Sequence, residues 1–396
     1  MNIQPASSGL RRYFWVTGLT ALAVLLATVT LNYLVDPYLI HQWDTDLVQR
    51  LSPAQQKITP WAKTYAAYRY RPEVVYLGSS RAEIGLPVDS QLFPDKRVFN
   101  LAIIGASFGN AVSMLRHTSV FHRPEIVVWG LDYGDQFKVA GNNTDFIPEL
   151  VATGPGYPLR RTLLNIRRSA SMDMTEESLK VISGLAEQKC PSLLATYGNK
   201  SSPCVAEIMR KEGGTATAFA KVMQKNRALP DPPALPATLQ LFDKVTDEYC
   251  RQGTAFRFFL HPVHALAELS YWQGKGDALD NWKRRLVKVV DVRRQQGCDI
   301  DLVDFSGFNR ITTEEVPQST GQENMQYYWE HSHYRSEVGQ MILERLFRKE
   351  RPAAADDFGV ELTGATIERH LSDFRKKRLA YISRHSRETG NMLLTP

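Results

Sequence analysis

Beyond residue 70 the apolar residues fall into short, nearly continuous runs. Longer stretches separate them, in which apolar residues recur at helical spacing. The runs are Glu73–Gly78, Arg97–Ala102, Glu125–Leu131, Ala255–Leu260 and Asp299–Asp304. A strand that is apolar on both faces needs cover on both, as in a parallel sheet between helical layers. Between the runs, Leu235, Leu239, Phe242, Val245 and Tyr249 share one helical face, as do Trp282, Leu286, Val289 and Val290. Val338, Ile342, Leu343 and Leu346 form a third such face after the last run. The alternation predicts an α/β fold with an open, doubly wound, mostly parallel sheet of five strands.

Residues 13–35 break this pattern, because they are predominantly apolar and carry no charge. A helix of that length spans a hydrocarbon layer of roughly 30 Å. Tyr13, Phe14 and Trp15 mark one end and Tyr33 the other, as aromatic anchors at two interfaces would. Arg11 and Arg12 precede the run, and Asp36, Asp44 and Asp46 follow it. Positive charge stays inside, so residues 1–12 are expected in the cytoplasm and the remainder across the membrane. Ala21-Leu22-Ala23 resembles a signal-peptidase site, but the apolar run continues well past it, which favours an uncleaved anchor.

The further divisions expected are a linker with helices at 36–70, the α/β domain at 71–350 and a basic helical tail at 351–396. Residues 140–230 interrupt the alternation and are expected to be a mostly helical insertion, a lid or a partner surface. The 396 residues, 43% hydrophobic and 23% charged, suit a globular domain and not a disordered or fibrous chain. Much of the net charge of +6 sits at Arg375-Lys376-Lys377-Arg378, Arg384 and Arg387. This reads as a solvated helix face, or as a contact for an anionic polymer or lipid headgroups; no nucleic-acid motif accompanies it. The four cysteines contain no Cys-x-x-Cys pair. Outside the cytoplasm they allow two disulfides, Cys190–Cys204 and Cys250–Cys298, with four buried thiols as the alternative.

Ligands of open α/β sheets bind beyond the carboxyl ends of the strands. There the first run ends in Gly78-Ser79-Ser80-Arg81, the third in Gly130-Leu131-Asp132, and the fourth in His261-Pro262-Val263-His264. Near the end of the domain comes Glu330-His331-Ser332-His333, a carboxylate three residues before an imidazole. A serine, a base and an acid that orients the base are what acyl transfer through a serine ester requires.

These motifs resemble those of the SGNH/GDSL hydrolase superfamily, in its membrane-anchored extracytoplasmic branch. That branch includes D-alanine-transfer proteins of teichoic acid and alginate O-acetylation proteins. Gly78-Ser79-Ser80 stands where the family has Gly-Asp-Ser, Gly105 fits the second block, and Gly130-Leu131-Asp132 is a degraded third block. Glu330-His331-Ser332-His333 matches the fourth, with Glu for Asp. The likeness covers roughly residues 70–135 and 255–347 and implies a three-layer, flavodoxin-like sandwich. It implies Ser80 as nucleophile, His333 as base and Glu330 as its orienter, with Ser79 the competing nucleophile and His331 the decoy. The Ser80 and Gly105 N–H groups would form the oxyanion hole. Asp132 replaces the family's Asn there, so it is either protonated or turned elsewhere, for instance toward Arg81, with Asn100 or Asn110 as substitutes. Arg81, His261 and His264 are candidates for substrate binding, and no cofactor or metal is expected.

The expected function is a serine esterase or O-acyltransferase in the bacterial inner membrane. It would act in the periplasm on an exported polysaccharide, beside a membrane acyltransferase or an export complex. The alternatives are an inactive scaffold of a polysaccharide assembly complex and a metal-dependent hydrolase built on the four histidines.

Overall fold

The computed structural model describes residues 8–41, 55–88, 91–140, 146–152, 154, 156–183, 196–225, 231–232, 234–271, 275–317, 325–347 and 357–385. Its centre is a sheet of strands β1 (Val74–Leu77), β2 (Val98–Asn100), β3 (Ile126–Leu131), β4 (Ala255–Leu260), β5 (Ile300–Asp304) and β6 (Val360–Glu361). Their order is β2-β1-β3-β4-β5-β6. The first five run parallel, and β6 pairs antiparallel with β5 through Val303↔Glu361 and Asp304↔Val360. The sheet is therefore six-stranded and mixed, not five-stranded. The sixth strand is two residues long, too short for its hydrophobic pattern to announce it, and it lies in the tail expected to be helical.

Successive side chains on a strand point to opposite faces, and both faces here are covered. Val75, Leu77, Val127, Trp129, Phe256, Phe258 and Leu302 join the core beneath the helices Phe108–Phe121, Leu235–Cys250 and Gly276–Gln295. Their neighbours Val74, Tyr76, Val128, Phe259 and Val303 face the other way, toward Ser80–Gly85 and Ser336–Phe347. This is why the runs are apolar throughout. The order reverses between β1 and β3, which opens a crevice at their carboxyl ends.

The helix Ser8–Val35 is long and apolar enough to cross a membrane. Cys250, closing one helix, is bonded to Cys298 just after another, with Cα atoms 5.5 Å apart. Cross-linking a loop of that length stabilises by about 4 kcal/mol through the unfolded chain. Cys204 is also disulfide-bonded; Cys190 lies outside the described residues. Between β3 and β4 the chain forms the helices Tyr157–Ser169, Met172–Ile182, Ser202–Lys211 and Gly214–Lys225. The tail helix Ile367–Arg384 packs through Ile367 and Leu371. Its Lys376 and Lys377 pair with Asp373 and Asp357, and Arg375 with Asp280.

Candidate active site

The turn after β1 is built so that a hydroxyl stands at the sheet edge. Gly78 has φ +143, and a Cβ there would crowd Ala82 and the Gly130 carbonyl. Ser79 is the N-cap of the helix Ser80–Gly85, its hydroxyl accepting from the Arg81 N–H. Ser79 therefore takes the capping role, which leaves Ser80 at the first helical position. Glu83, one turn on, is buried in an ion pair with Lys63, 3.0 Å away. The Asn199 side chain and the Lys200 N–H also bond to the Glu83 carbonyl. These bonds clamp the short helix from two sides.

The opposite half comes from a tight loop. Tyr328 and Tyr334 form a bridge, and the Trp329 N–H donates to the His333 carbonyl at 2.9 Å. Inside the loop Glu330 Oε1 accepts from the Ser332 hydroxyl (3.0 Å), from the His333 N–H (2.8 Å) and from His333 Nδ1. The Ser80 hydroxyl donates to His333 Nε2 at 2.8 Å. With Glu330 ionised, the imidazole proton sits on Nδ1 and Nε2 is free to accept, the tautomer that a general base needs. Burial by itself would raise the Glu330 pKa. Attraction to His333 and hydrogen bonds from both histidines outweigh it and hold the carboxyl well below its usual range. His331 Nδ1 approaches the other Glu330 oxygen, so both histidines of the motif flank one carboxylate, but His333 alone reaches Ser80.

Asp132 is not an oxyanion donor. Its carboxylate is buried and ion-paired with Arg81, and the Ser79 side chain hydrogen-bonds to it as well. Burial raises its pKa, but the Arg81 charge, the nearby His261 ring and these bonds bring it below the ordinary value. An ionised carboxylate has only acceptors to offer. Arg81 in turn is held by Asp132 and the Tyr271 hydroxyl, so its charge is already matched inside the protein. Asn100 does not substitute, because its amide is spent on the carbonyls of Ala82 and Leu86; the Asn110 oxygen closes a capping box with Ser107.

The first-turn donors of the serine helix are better placed. The Arg81 N–H goes to Ser79 Oγ, and the Ala82 and Glu83 N–H groups to the Ser79 carbonyl, which leaves the Ser80 N–H without one of these acceptors. Gly105 turns the loop after β2 at φ +68, and its neighbours Ala106 and Ser107 share a crevice with Gly78 and Ser79.

His264 is a correction. It is fully buried; Nε2 donates to the Glu314 carbonyl at 2.7 Å and Nδ1 accepts from the Leu266 N–H. Both nitrogens are used by backbone, and none is left for substrate. His261 is also buried, with Nδ1 against the Tyr334 hydroxyl at 3.1 Å and Nε2 turned toward Asp132, 3.9 Å away. It occupies the space above Gly130, where any Cβ would overlap its ring. Burial drives both histidines down to about 4, so they are neutral at ordinary pH. His261, Arg81 and Tyr271 line a crevice of about 40 Å³. That is room for a water and not for a sugar ring. Among the described residues no group of three or more His, Cys, Asp or Glu is placed to hold a metal ion.

Sequence reasoning missed Lys63, Tyr271 and Tyr334. Each sits within a helix or loop whose pattern explains it as ordinary surface or core, and no motif marks it. Chemically, the arrangement offers an activated hydroxyl, an oriented base and a buried carboxylate at the edge of the crevice between β1 and β3. No family model matches the chain, and no curated protein matches it.

Proposed function

We propose that this chain is a membrane-anchored serine ester hydrolase or O-acyltransferase with an SGNH-type site, acting on an exported polysaccharide in the bacterial periplasm. The observation that carries the reading is the unbroken relay Glu330–His333–Ser80 at the carboxyl end of β1. Ser80 Oγ attacks the acyl carbonyl carbon as its proton passes to His333 Nε2. The resulting oxyanion is met by the Ser80 and Gly105 N–H groups. His333 then returns the proton to the departing alkoxide oxygen, leaving an acyl-serine. Water or a sugar hydroxyl, deprotonated by the same imidazole, takes the acyl group and restores Ser80. The parallel strand order 2-1-3-4-5, flavodoxin-like, supports the SGNH arrangement. Arg11 and Arg12 before the apolar helix support the orientation that puts the site outside the cytoplasm.

A second reading, a catalytically inactive scaffold in a polysaccharide assembly complex, is favoured by one observation: Asp132 stands at the family's Asn position and is committed to Arg81. One experiment separates the two. The full-length protein in detergent is treated with a fluorophosphonate and assayed with p-nitrophenyl acetate. The esterase reading expects a covalent adduct on Ser80 and turnover that both vanish in Ser80→Ala. Wild-type protein that neither labels nor turns over the ester supports the scaffold. Turnover that persists in Ser80→Ala overturns the serine mechanism.

A further inference from the structure

The helix Tyr157–Ser169 is amphipathic in the inverted sense. Its buried positions are Tyr157, Arg161, Asn165 and Ser169, whereas Leu159, Leu163 and Ile166 are 67%, 57% and 58% exposed. At 100° per residue those three leucine and isoleucine positions fall on one narrow stripe, with the exposed Arg160 and Arg167 along its side. The inward polar face is fully engaged. The Arg161 guanidinium donates to the Trp61 and Leu150 carbonyls, to Thr64 Oγ1 and to Asn165. The next helix, Met172–Ile182, continues the outward apolar surface with Met172, Leu179 and Ile182. Its exposed Glu176 pairs with Lys180 at 2.6 Å, a lysine that also reaches Glu177 at 3.1 Å.

These two helices are where the apolar N-terminal helix meets the domain. The Asn32 amide, fully buried, donates to the Ser169 carbonyl (2.8 Å) and Thr175 Oγ1 (2.9 Å), and the Ser178 hydroxyl donates back to Asn32 Oδ1 (2.8 Å). Tyr38, just beyond the helix, donates to Asp173 and packs with Trp61, Leu150 and Met174. The joint is a packed one. Counted from Tyr13 at 1.5 Å per residue, about 30 Å of hydrocarbon ends near Tyr33. Asn32 and the helices bound to it therefore stand at the level of the headgroups. A basic amphipathic helix at that depth seats its apolar face at the headgroup–acyl boundary with arginines reaching the phosphates.

We propose that the helices Tyr157–Ser169 and Met172–Ile182 form a second membrane contact, a surface that lies on the lipid bilayer and fixes the domain to it. The proposal rests on residues 13–35 crossing the membrane, since the occupant of the stripe is inferred from its continuity with that anchor. It goes beyond the esterase reading and does not depend on it.

The test is spin-label depth measurement on the full-length chain in nanodiscs of phosphatidylethanolamine and phosphatidylglycerol. Single cysteines are placed at L159C, L163C and I166C, with V24C in the anchor and L379C on the exposed tail helix as references. These positions are exposed, so the fold tolerates them, and near-ultraviolet circular dichroism checks each variant. Labels at 159, 163 and 166 are expected to be more accessible to oxygen than to a water-soluble nickel chelate, as at 24, with the order reversed at 379. Nickel-dominated accessibility at the three sites would overturn the proposal in favour of plain solvent exposure. Shielding from both reagents would overturn it in favour of a protein partner or a second copy. Nickel-dominated accessibility at Val24 would overturn the anchor reading, and the proposal with it.

Discussion

Two loops at the sheet edge carry the same chemical inventory and put it to different use. His261-Pro262-Val263-His264 follows β4, and Glu330-His331-Ser332-His333 precedes the helix Ser336–Phe347; they touch, the His264 N–H donating to the His331 carbonyl at 3.0 Å. In the first loop both nitrogens of His264 are taken by backbone groups, and burial keeps the ring neutral. His117, far away on the helix Phe108–Phe121, is used the same way, between the Thr64 carbonyl and the Ala152 N–H. In the second loop each His333 nitrogen meets a side chain, one a carboxylate and the other a serine hydroxyl, at a half-open surface. A histidine between two backbone groups has no proton to exchange. A histidine between a fixed anion and a hydroxyl can move one.

The sharpest way to break this comparison is to remove one imidazole from each loop. His333→Ala should lower ester turnover by about 10⁴- to 10⁶-fold, with a loss of stability of its own because buried Glu330 gives up one of its partners and keeps His331 and the Ser332 hydroxyl. His264→Ala should lower stability alone. It leaves the buried Glu314 carbonyl and Leu266 N–H unsatisfied, costs about 1–3 kcal/mol of stability, and keeps the turnover of the folded fraction. Ester kinetics and denaturant unfolding on the same preparations decide it. Comparable turnover losses in both variants would erase the distinction.

The sequence made the second loop legible and the first one ambiguous for a physical reason. Glu330 and His333 are three apart, so the local backbone alone brings carboxylate to imidazole, and the short spacing reports the contact. Ser80 is 253 positions from His333 in the chain. The strand-end rule led only to the Ser79-Ser80 pair at the sheet edge; the choice of Ser80 over Ser79 came from the resemblance to the SGNH/GDSL pattern. His264 was misread because its partners are backbone groups at Glu314 and Leu266, and backbone carries no sequence signal. The same blindness hid β6. It hid Lys63 as well, whose acceptor Glu83 comes from a different helix. Asp132 was half legible: Arg81 was a suspected partner, but residue identity alone cannot reveal whether a buried carboxyl is charged.

The buried side of the comparison can be sharpened through Asp132, which separates His261 from Arg81. Arg81→Ala leaves a buried carboxylate without its cation, and Asp132→Asn leaves a guanidinium without its anion. Either should destabilise by about 3–5 kcal/mol, the usual penalty for breaking a buried pair from one side. The double variant Arg81→Met with Asp132→Leu should recover much of that loss, since the charges then leave together. A double-mutant cycle read by urea unfolding gives the coupling. Additive losses would mean that the pair is not a unit.

The last expected effect concerns acid. His117, His261 and His264 are all lowered to about 4 by burial, against 6.5 for an ordinary histidine. The unfolded chain therefore takes up protons below about 6.5, whereas the folded chain resists until about 4. Stability from this source is whole above pH 6.5 and drains as pH falls toward 4, at up to about 3 kcal/mol per histidine. The carboxylates act lower. Glu330 and Asp132 are held below their ordinary values, so their contribution is intact above the ordinary carboxylate range and fails only as pH drops through their depressed folded values. The two windows separate. Urea midpoints of the full-length protein in detergent should fall between pH 6.5 and 4.5, and His264→Gln should start lower but fall less steeply over that interval. A flat profile there would mean that the buried rings are hydrated or already charged. The contrast between the two loops would then lose its electrostatic half.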